Sequence, residues 1–158
     1  LNAFLDGNCE GAAEEIRAIR KCIDEAAAKQ GRTVHLKVIL ETGLLVSPEN
    51  IANASFLAME AGADFIKTST GKMEHAATPE AAYVMCQAIK EYYEQTGIQI
   101  GFKPAGGINT VMDAIIYYTI VKEILGEKWL TNKWFRLGTS RLANMLLSEL
   151  TGEETKFF

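Results

Sequence analysis

The sequence predicts an α/β protein built from short parallel strands, each followed by a helix. Three observations carry that prediction. The chain opens on a helix and then runs strand–helix four times. Its strand runs are short and apolar on both faces, as parallel strands covered by helices are. Equivalent positions also recur: Lys37 to Lys67, Lys67 to Lys103 and Lys103 to Gly138 are 30, 36 and 35 residues apart. A (β/α)8 barrel divides ~250 residues into units of roughly 31 each, so the spacing fits half a barrel. A doubly wound sheet gives the same alternation, and periodicity leaves both open.

Each element has a local cause. Residues 10–29 repeat apolar positions at helical spacing among strong helix formers. "GRT" ends that helix, and "VHLKVIL" (34–40) is a β-rich run. Residues 47–63 start with Ser47 as N-cap and Pro48 at the first helical position. "DFIKTS" (64–69) is a strand, and 78–97 is a second Thr-Pro-Glu helix that stops at Gly97. "IQIGFKPA" (98–105) is the third strand, followed by a helix over 109–125. "KWFRLGTS" (133–140) is the fourth strand, and 141–150 the closing helix. No linker or low-complexity segment intervenes, so residues 1–158 read as a single domain.

Composition narrows the function classes. The chain has 48% hydrophobic and 23% charged residues and a net charge of −4. That is ordinary for a globular protein and argues against a broad nucleic-acid surface. No apolar run reaches the ~18 residues that span a bilayer. Cys9, Cys22 and Cys86 are odd in number, match no zinc spacing and suggest a reducing compartment. They read as core or helix residues. His35 and His75 form no ligand pair. Trp129 and Trp134 read as packing residues.

The lysines carry the chemistry. Lys37, Lys67 and Lys103 each stand near the C-terminal end of a strand. Alternation puts Lys67 on one face with Phe65 and Ser69, and Lys103 with Gly101 and Ala105. Small neighbours leave room for long side chains and a ligand. An ammonium in an apolar interior is disfavoured, and a second cation nearby disfavours it further. Lowering a lysine from ~10.4 to ~7 corresponds to roughly 4 kcal/mol. A neutral amine then attacks a carbonyl to form a Schiff base. Lys67 and Lys103 on adjacent strands make one nucleophile and one activating cation. The bland reading has each lysine reaching out to water at the strand end. Glu41 and Thr42 border the same end, and Glu41 is suited to pair with a lysine there.

Glycine turns follow the strands in "STGK", "AGG" and "LGTS". Glycine lets backbone N–H groups approach an anion, and a following helix N-terminus favours negative charge. Gly106, Gly107, Gly138 and Ser140 are the phosphate candidates, with Lys72 as a point charge. The P-loop pattern is rejected: Gly71-Lys72 lacks the upstream glycine and is followed by Met73.

Together "LKVILETG", "AGADFIKTSTGK", "ATPE", "GFKPAGGI" and "FRLGTS" resemble the deoxyribose-phosphate aldolase family, in order and over residues 1–150. The resemblance implies a Schiff-base lyase on a (β/α)8 barrel that cleaves 2-deoxy-D-ribose 5-phosphate without metal or cofactor. It implies Lys67 as the Schiff-base lysine and Lys103 as its partner. It implies Gly71, Lys72, Gly106, Gly107 and Ser140 around the substrate phosphate; Lys37 and Gly138 join them as substrate-binding candidates from strand position and glycine turn alone. Two positions depart from the family: Asn109 replaces the usual Arg, and Arg141 follows Ser140 where a second Ser is common.

The family's proton-shuttling Asp lies on the fourth barrel strand. "LNAFLDGN" resembles the segment after that strand, so Asp6 is too late to be that residue. The expectation is a chain holding strands five to eight, with an N-terminal portion missing, as the absence of an initiating Met suggests. Its exposed barrel edges favour homo-oligomerisation. A cytoplasmic small-molecule enzyme is expected, with neither nucleic acid nor membrane as partner. The rivals are another sugar-phosphate Schiff-base aldolase or transaldolase, and a half-barrel unable to turn over.

Overall fold

Three parallel strands form the centre of the computed structural model, which describes residues 1–74 and 76–157. His75 lies outside the described residues. In chain order the elements are α1 (Asn2–Leu5), α2 (Cys9–Lys29), β1 (Lys37–Ile39), α3 (Thr42–Leu45) and α4 (Pro48–Glu60). They continue with β2 (Phe65–Lys67), α5 (Pro79–Thr96), β3 (Gly101–Lys103), α6 (Val111–Leu125), a 3-10 turn (Glu127–Trp129) and α7 (Leu142–Thr151). The sheet order is β1-β2-β3.

Register explains the two faces. Val38 pairs with Ile66 and Ile66 with Phe102, and Phe102 bridges to Phe135. Ile66 and Phe102 are fully buried in the main hydrophobic cluster, with Ala82, Met85 and Ile89 of α5 and Val121 of α6. The opposite face carries Lys37, Phe65 and Gly101 in one row and Ile39, Lys67 and Lys103 in the next. One face is therefore core, and the other holds the charged groups.

The fourth predicted strand, 133–140, is a correction. It touches β3 only through isolated bridges at Phe102–Phe135 and Ala105–Gly138. The hydrogen bonds show why. Phe102 N–H donates to Trp134 O (2.8 Å), Arg136 N–H to Phe102 O (3.2 Å), and Gly138 N–H to Pro104 O (2.8 Å). The next bond in the ladder would come from residue 104, and proline has no N–H to give. The segment runs beside β3 with a gap at Pro104. The other strands are also shorter than the runs read from sequence, and α1, α3 and the 3-10 turn were not anticipated.

The helix starts follow their caps. Ser47 accepts the Asn50 N–H (3.1 Å) and Thr78 the Ala81 N–H (3.1 Å). Thr110 accepts the Asp113 N–H (3.1 Å), while Asp113 accepts N–H groups from Asn109 (2.9 Å) and Thr110 (2.8 Å). This capping box holds the Asp113 carboxyl below its ordinary 3.8, through the Asn109 and then the Thr110 backbone bonds. An acid depressed on folding stabilises the fold above its unfolded pKa, and that stability is lost as pH falls through the folded one. Asp113→Asn is therefore expected to flatten the loss of stability below about pH 4. Thr110→Ala is expected to cost about 1 kcal/mol. Urea denaturation across pH reads both.

Cys9 and Cys22 are exposed on α2, and Cys86 is buried in the core, where burial pushes its thiol up. Among the described residues no helix is long and apolar enough to cross a membrane.

Candidate active site

The C-terminal ends of β2 and β3 are locked together by side chains of the "KTST" run. Thr68 accepts the Ala105 N–H (2.9 Å) and donates its hydroxyl to Ala105 O (3.2 Å). The Ser69 hydroxyl also donates to Ala105 O. Both side chains are fully buried. These bonds fix the turn after Lys103 against the turn after Lys67. Sequence reading passed over Thr68, because a hydroxyl beside a glycine turn carries no signal of its distant partner.

Lys67 and Lys103 are direct register partners. Parallel neighbours on adjacent strands stand ~4.8 Å apart, so both side chains leave the sheet on the same face, side by side. Burial lowers the Lys103 pKa, followed by the charges of Lys37, Lys67 and Arg136. Burial also lowers that of Lys37, followed by Arg136 and Lys67. Arg136 was not singled out from sequence. Its guanidinium lies over the Phe65 ring at 4.7 Å, and its Nε–H donates to Asn132 O (3.0 Å). Four basic side chains thus share this face.

A cavity of about 440 Å³ opens above the lysine pair. Lys67, Gly71, Lys103, Gly106, Gly107, Gly138 and Ser140 all line it, joined by Thr70, Ala105, Ile108, Asn109 and Thr139. Lys37 and Lys72 do not line it. Lys37 sits one row towards the strand N-termini, opposite Phe65. Lys72 is exposed, and its N–H donates to the Thr70 hydroxyl (3.2 Å). Clefts of about 560 and 600 Å³ lie on the helical exterior and contain no such lysine pair.

The amides of Thr70, Lys72, Ala105, Gly106, Asn109, Thr110 and Gly138 already have acceptors. Those of Gly71, Gly107, Ile108, Thr139 and Ser140 have none among the described residues and border the cavity. Gly106 and Gly107 take positive φ of 86° and 79°, which glycine permits. Such a cluster of N–H groups suits a phosphate. Among the described residues no acidic side chain lines the cavity. The Glu41 carboxylate accepts the Thr70 N–H (3.1 and 3.3 Å), so its partner is backbone and not the lysine read from sequence. No group of three or more metal-ligating residues occurs among the described residues.

Gly138 makes room for Lys103. A Cβ there would lie 2.4 Å from Ala105 Cβ and 3.0 Å from Lys103 Cε. Gly138→Ala is expected to displace both and to lose about 1–3 kcal/mol. Urea denaturation measures the loss.

The site is thus a strand-end lysine pair beside backbone amides that lack acceptors among the described residues, on a parallel α/β sheet. The family model described as DeoC/LacD family aldolase matches residues 6–128. The chain belongs to that family. It is 47% identical over 138 residues to the human deoxyribose-phosphate aldolase, covering 87% of this chain and 41% of the relative. It is 43% identical over 151 residues to that of Agrobacterium fabrum, covering 96% and 54%. The chain therefore spans about half the length of the curated relatives it matches. Among solved structures it superposes on "QR15, an Aldolase" with a TM-score of 0.68 at 27% identity, covering 97% of this chain and 58% of that one. A deoxyribose phosphate aldolase from Aeropyrum pernix, described as tetrameric, shares the fold with a TM-score of 0.63 at 24% identity.

Proposed function

We propose that this chain is the C-terminal portion of a (β/α)8 barrel, strands five to eight in one domain, from a cytoplasmic lyase. Its reaction is the retro-aldol cleavage of 2-deoxy-D-ribose 5-phosphate to D-glyceraldehyde 3-phosphate and acetaldehyde. The observation that carries this reading is the register pairing of Lys67 with Lys103 at the floor of the amide-rimmed cavity.

The Lys67 amine adds to the substrate aldehyde at C1, and loss of water leaves an iminium. The C3 hydroxyl gives up its proton to water, the C2–C3 bond breaks, and its electron pair moves to the iminium. Glyceraldehyde 3-phosphate leaves with the new C3 carbonyl, and an enamine stays on Lys67. Protonation at C2 and hydrolysis release acetaldehyde. Lys103 serves as the neighbouring cation and proton donor, suited to that role by its loosened proton. The amides of Gly71, Gly107 and Ser140 hold the phosphate, with Gly106 and Gly138 giving the backbone its close approach. Lys37 and Lys72 add positive charge from outside the lining. That contact orients the reacting carbon. No cofactor, nucleic acid or membrane enters the scheme. The open edge of β1 is the surface for the preceding strand of the barrel or for a second copy.

Borohydride reduction in the presence of acetaldehyde, followed by peptide mass spectrometry, tests the reading. The expected adduct is on Lys67. Labelling of Lys103 in its place would reverse the two roles, and labelling of neither would remove the Schiff-base chemistry. Turnover of another sugar phosphate, with none of deoxyribose 5-phosphate, would move the chain to a different substrate class.

A further inference from the structure

Glu41 is a buried carboxylate that the scheme above does not use. It is 8% exposed and follows Leu40, whose N–H donates to Lys67 O (2.9 Å). Its backbone is left-handed, at φ 53° and ψ 60°. A residue with a long side chain takes that conformation rarely. It persists where the surroundings over-determine it, and such positions cluster at functional sites.

The Glu41 carbonyl accepts the Leu44 N–H (2.9 Å), and two further contacts hold the residue here. On its C-terminal side the Thr42 N–H donates to Thr68 O (2.9 Å). Its own carboxylate receives the Thr70 N–H on both oxygens, at 3.1 and 3.3 Å. The end of β1 is thereby tied to both sides of Ser69. Thr70 and Gly71 line the cavity, and Glu41 does not. The carboxylate stands behind the turn and takes the Thr70 N–H, while the Gly71 N–H has no acceptor among the described residues. A charge-assisted bond to backbone is about twice as strong as a neutral one. It fixes the turn without placing a side chain in the cavity.

We propose that Glu41 is a positioning residue: it clamps the Thr70–Gly71 turn and so sets how tightly the cavity holds the phosphate-bearing end of the substrate. The proposal rests on the sugar-phosphate reading above. The reacting carbon at Lys67 is served by β2 itself, so the clamp bears on the far end of the ligand. A glutamine at this position keeps the shape and one acceptor oxygen. A methionine keeps the length and loses the acceptor.

The test compares the chain with Glu41→Gln and Glu41→Met. Hydrogen exchange at the Thr70 amide reports the clamp. Borohydride trapping is run with two aldehydes, acetaldehyde without phosphate and deoxyribose 5-phosphate with it. In Glu41→Met, Thr70 exchange is expected to accelerate. The half-saturating concentration of deoxyribose 5-phosphate, divided by that of acetaldehyde, is expected to rise roughly tenfold. Glu41→Gln is expected to recover most of both effects. An unchanged Thr70 exchange in Glu41→Met would remove the clamp. Faster exchange with an unchanged ratio would remove its link to phosphate, as would equal weakening for both aldehydes. Wild-type chain that traps neither aldehyde would sink the aldolase reading instead, and Thr70 exchange would still decide the clamp.

Discussion

Lys67→Met is expected to lose the borohydride-trapped adduct down to background. Methionine matches the length and apolar stem of lysine, so the sheet keeps its packing while the proposed nucleophile goes. Lys67→Arg keeps the charge, and its guanidinium stays protonated and forms no imine. Both variants should therefore be silent, although one preserves the electrostatics of the face and the other does not. Lys103→Met is expected to behave differently. The adduct still forms on Lys67, but more slowly, since positioned acid–base groups contribute roughly 10²–10⁴-fold. The contrast separates the two roles even though the side chains are register partners. Time-resolved trapping with mass-spectrometric localisation reads it. An adduct surviving in Lys67→Met at wild-type rate would place the nucleophile elsewhere.

Trp129→Ala is expected to be the most destabilising of the core substitutions, by about 3–5 kcal/mol. Trp129 is 1% exposed, and its ring meets Tyr93 edge-on at 5.3 Å and 85°. Its indole N–H donates to Ile100 O (2.8 Å), the residue just before β3. The Lys128 ammonium lies 3.9 Å from the Tyr93 ring centroid and 4.8 Å from that of Trp129. The 3-10 turn thus pins the entry to the strand that carries Lys103. Trp129→Phe keeps most of the apolar volume and leaves the Ile100 carbonyl without its donor. It is expected to cost about 1–3 kcal/mol. Urea denaturation followed by far-UV circular dichroism measures both. Equal losses for the two variants would show that the hydrogen bond, not the ring volume, dominates.

Much of the fold was legible because its signals are local. Ser47-Pro48 and Thr78-Pro79 are start signals whose donors lie three residues away, and both caps form as read. Lys67 and Lys103, read as neighbours on adjacent strands, are register partners, whereas the similarly spaced Lys37 pairs with Phe65 one row away. What was not legible depends on partners distant in the chain. The Thr68 and Ser69 hydroxyls act on Ala105, 37 and 36 residues on. Glu41 finds Thr70, 29 residues on. The fourth strand failed for a related reason. Its own residues are good strand formers, and the gap comes from Pro104 on its neighbour. Lys37 and Lys72 sit outside the cavity lining, because residue type and strand position do not say which row of a sheet meets a ligand.

The crowding of Lys37, Lys67, Lys103 and Arg136 on one face has a kinetic side. The chain as a whole carries a net charge of −4, so a doubly charged phosphate ester far away meets weak repulsion. Close to this face the nearest charges are those of basic side chains, which act on one another. Diffusing anions are then expected to be drawn to this face, and their capture to depend on how far its charge reaches. Mobile ions shorten the range to about 8 Å at physiological ionic strength. The rate of substrate capture should fall steeply with added salt, while an uncharged aldehyde should be taken up at the same rate throughout.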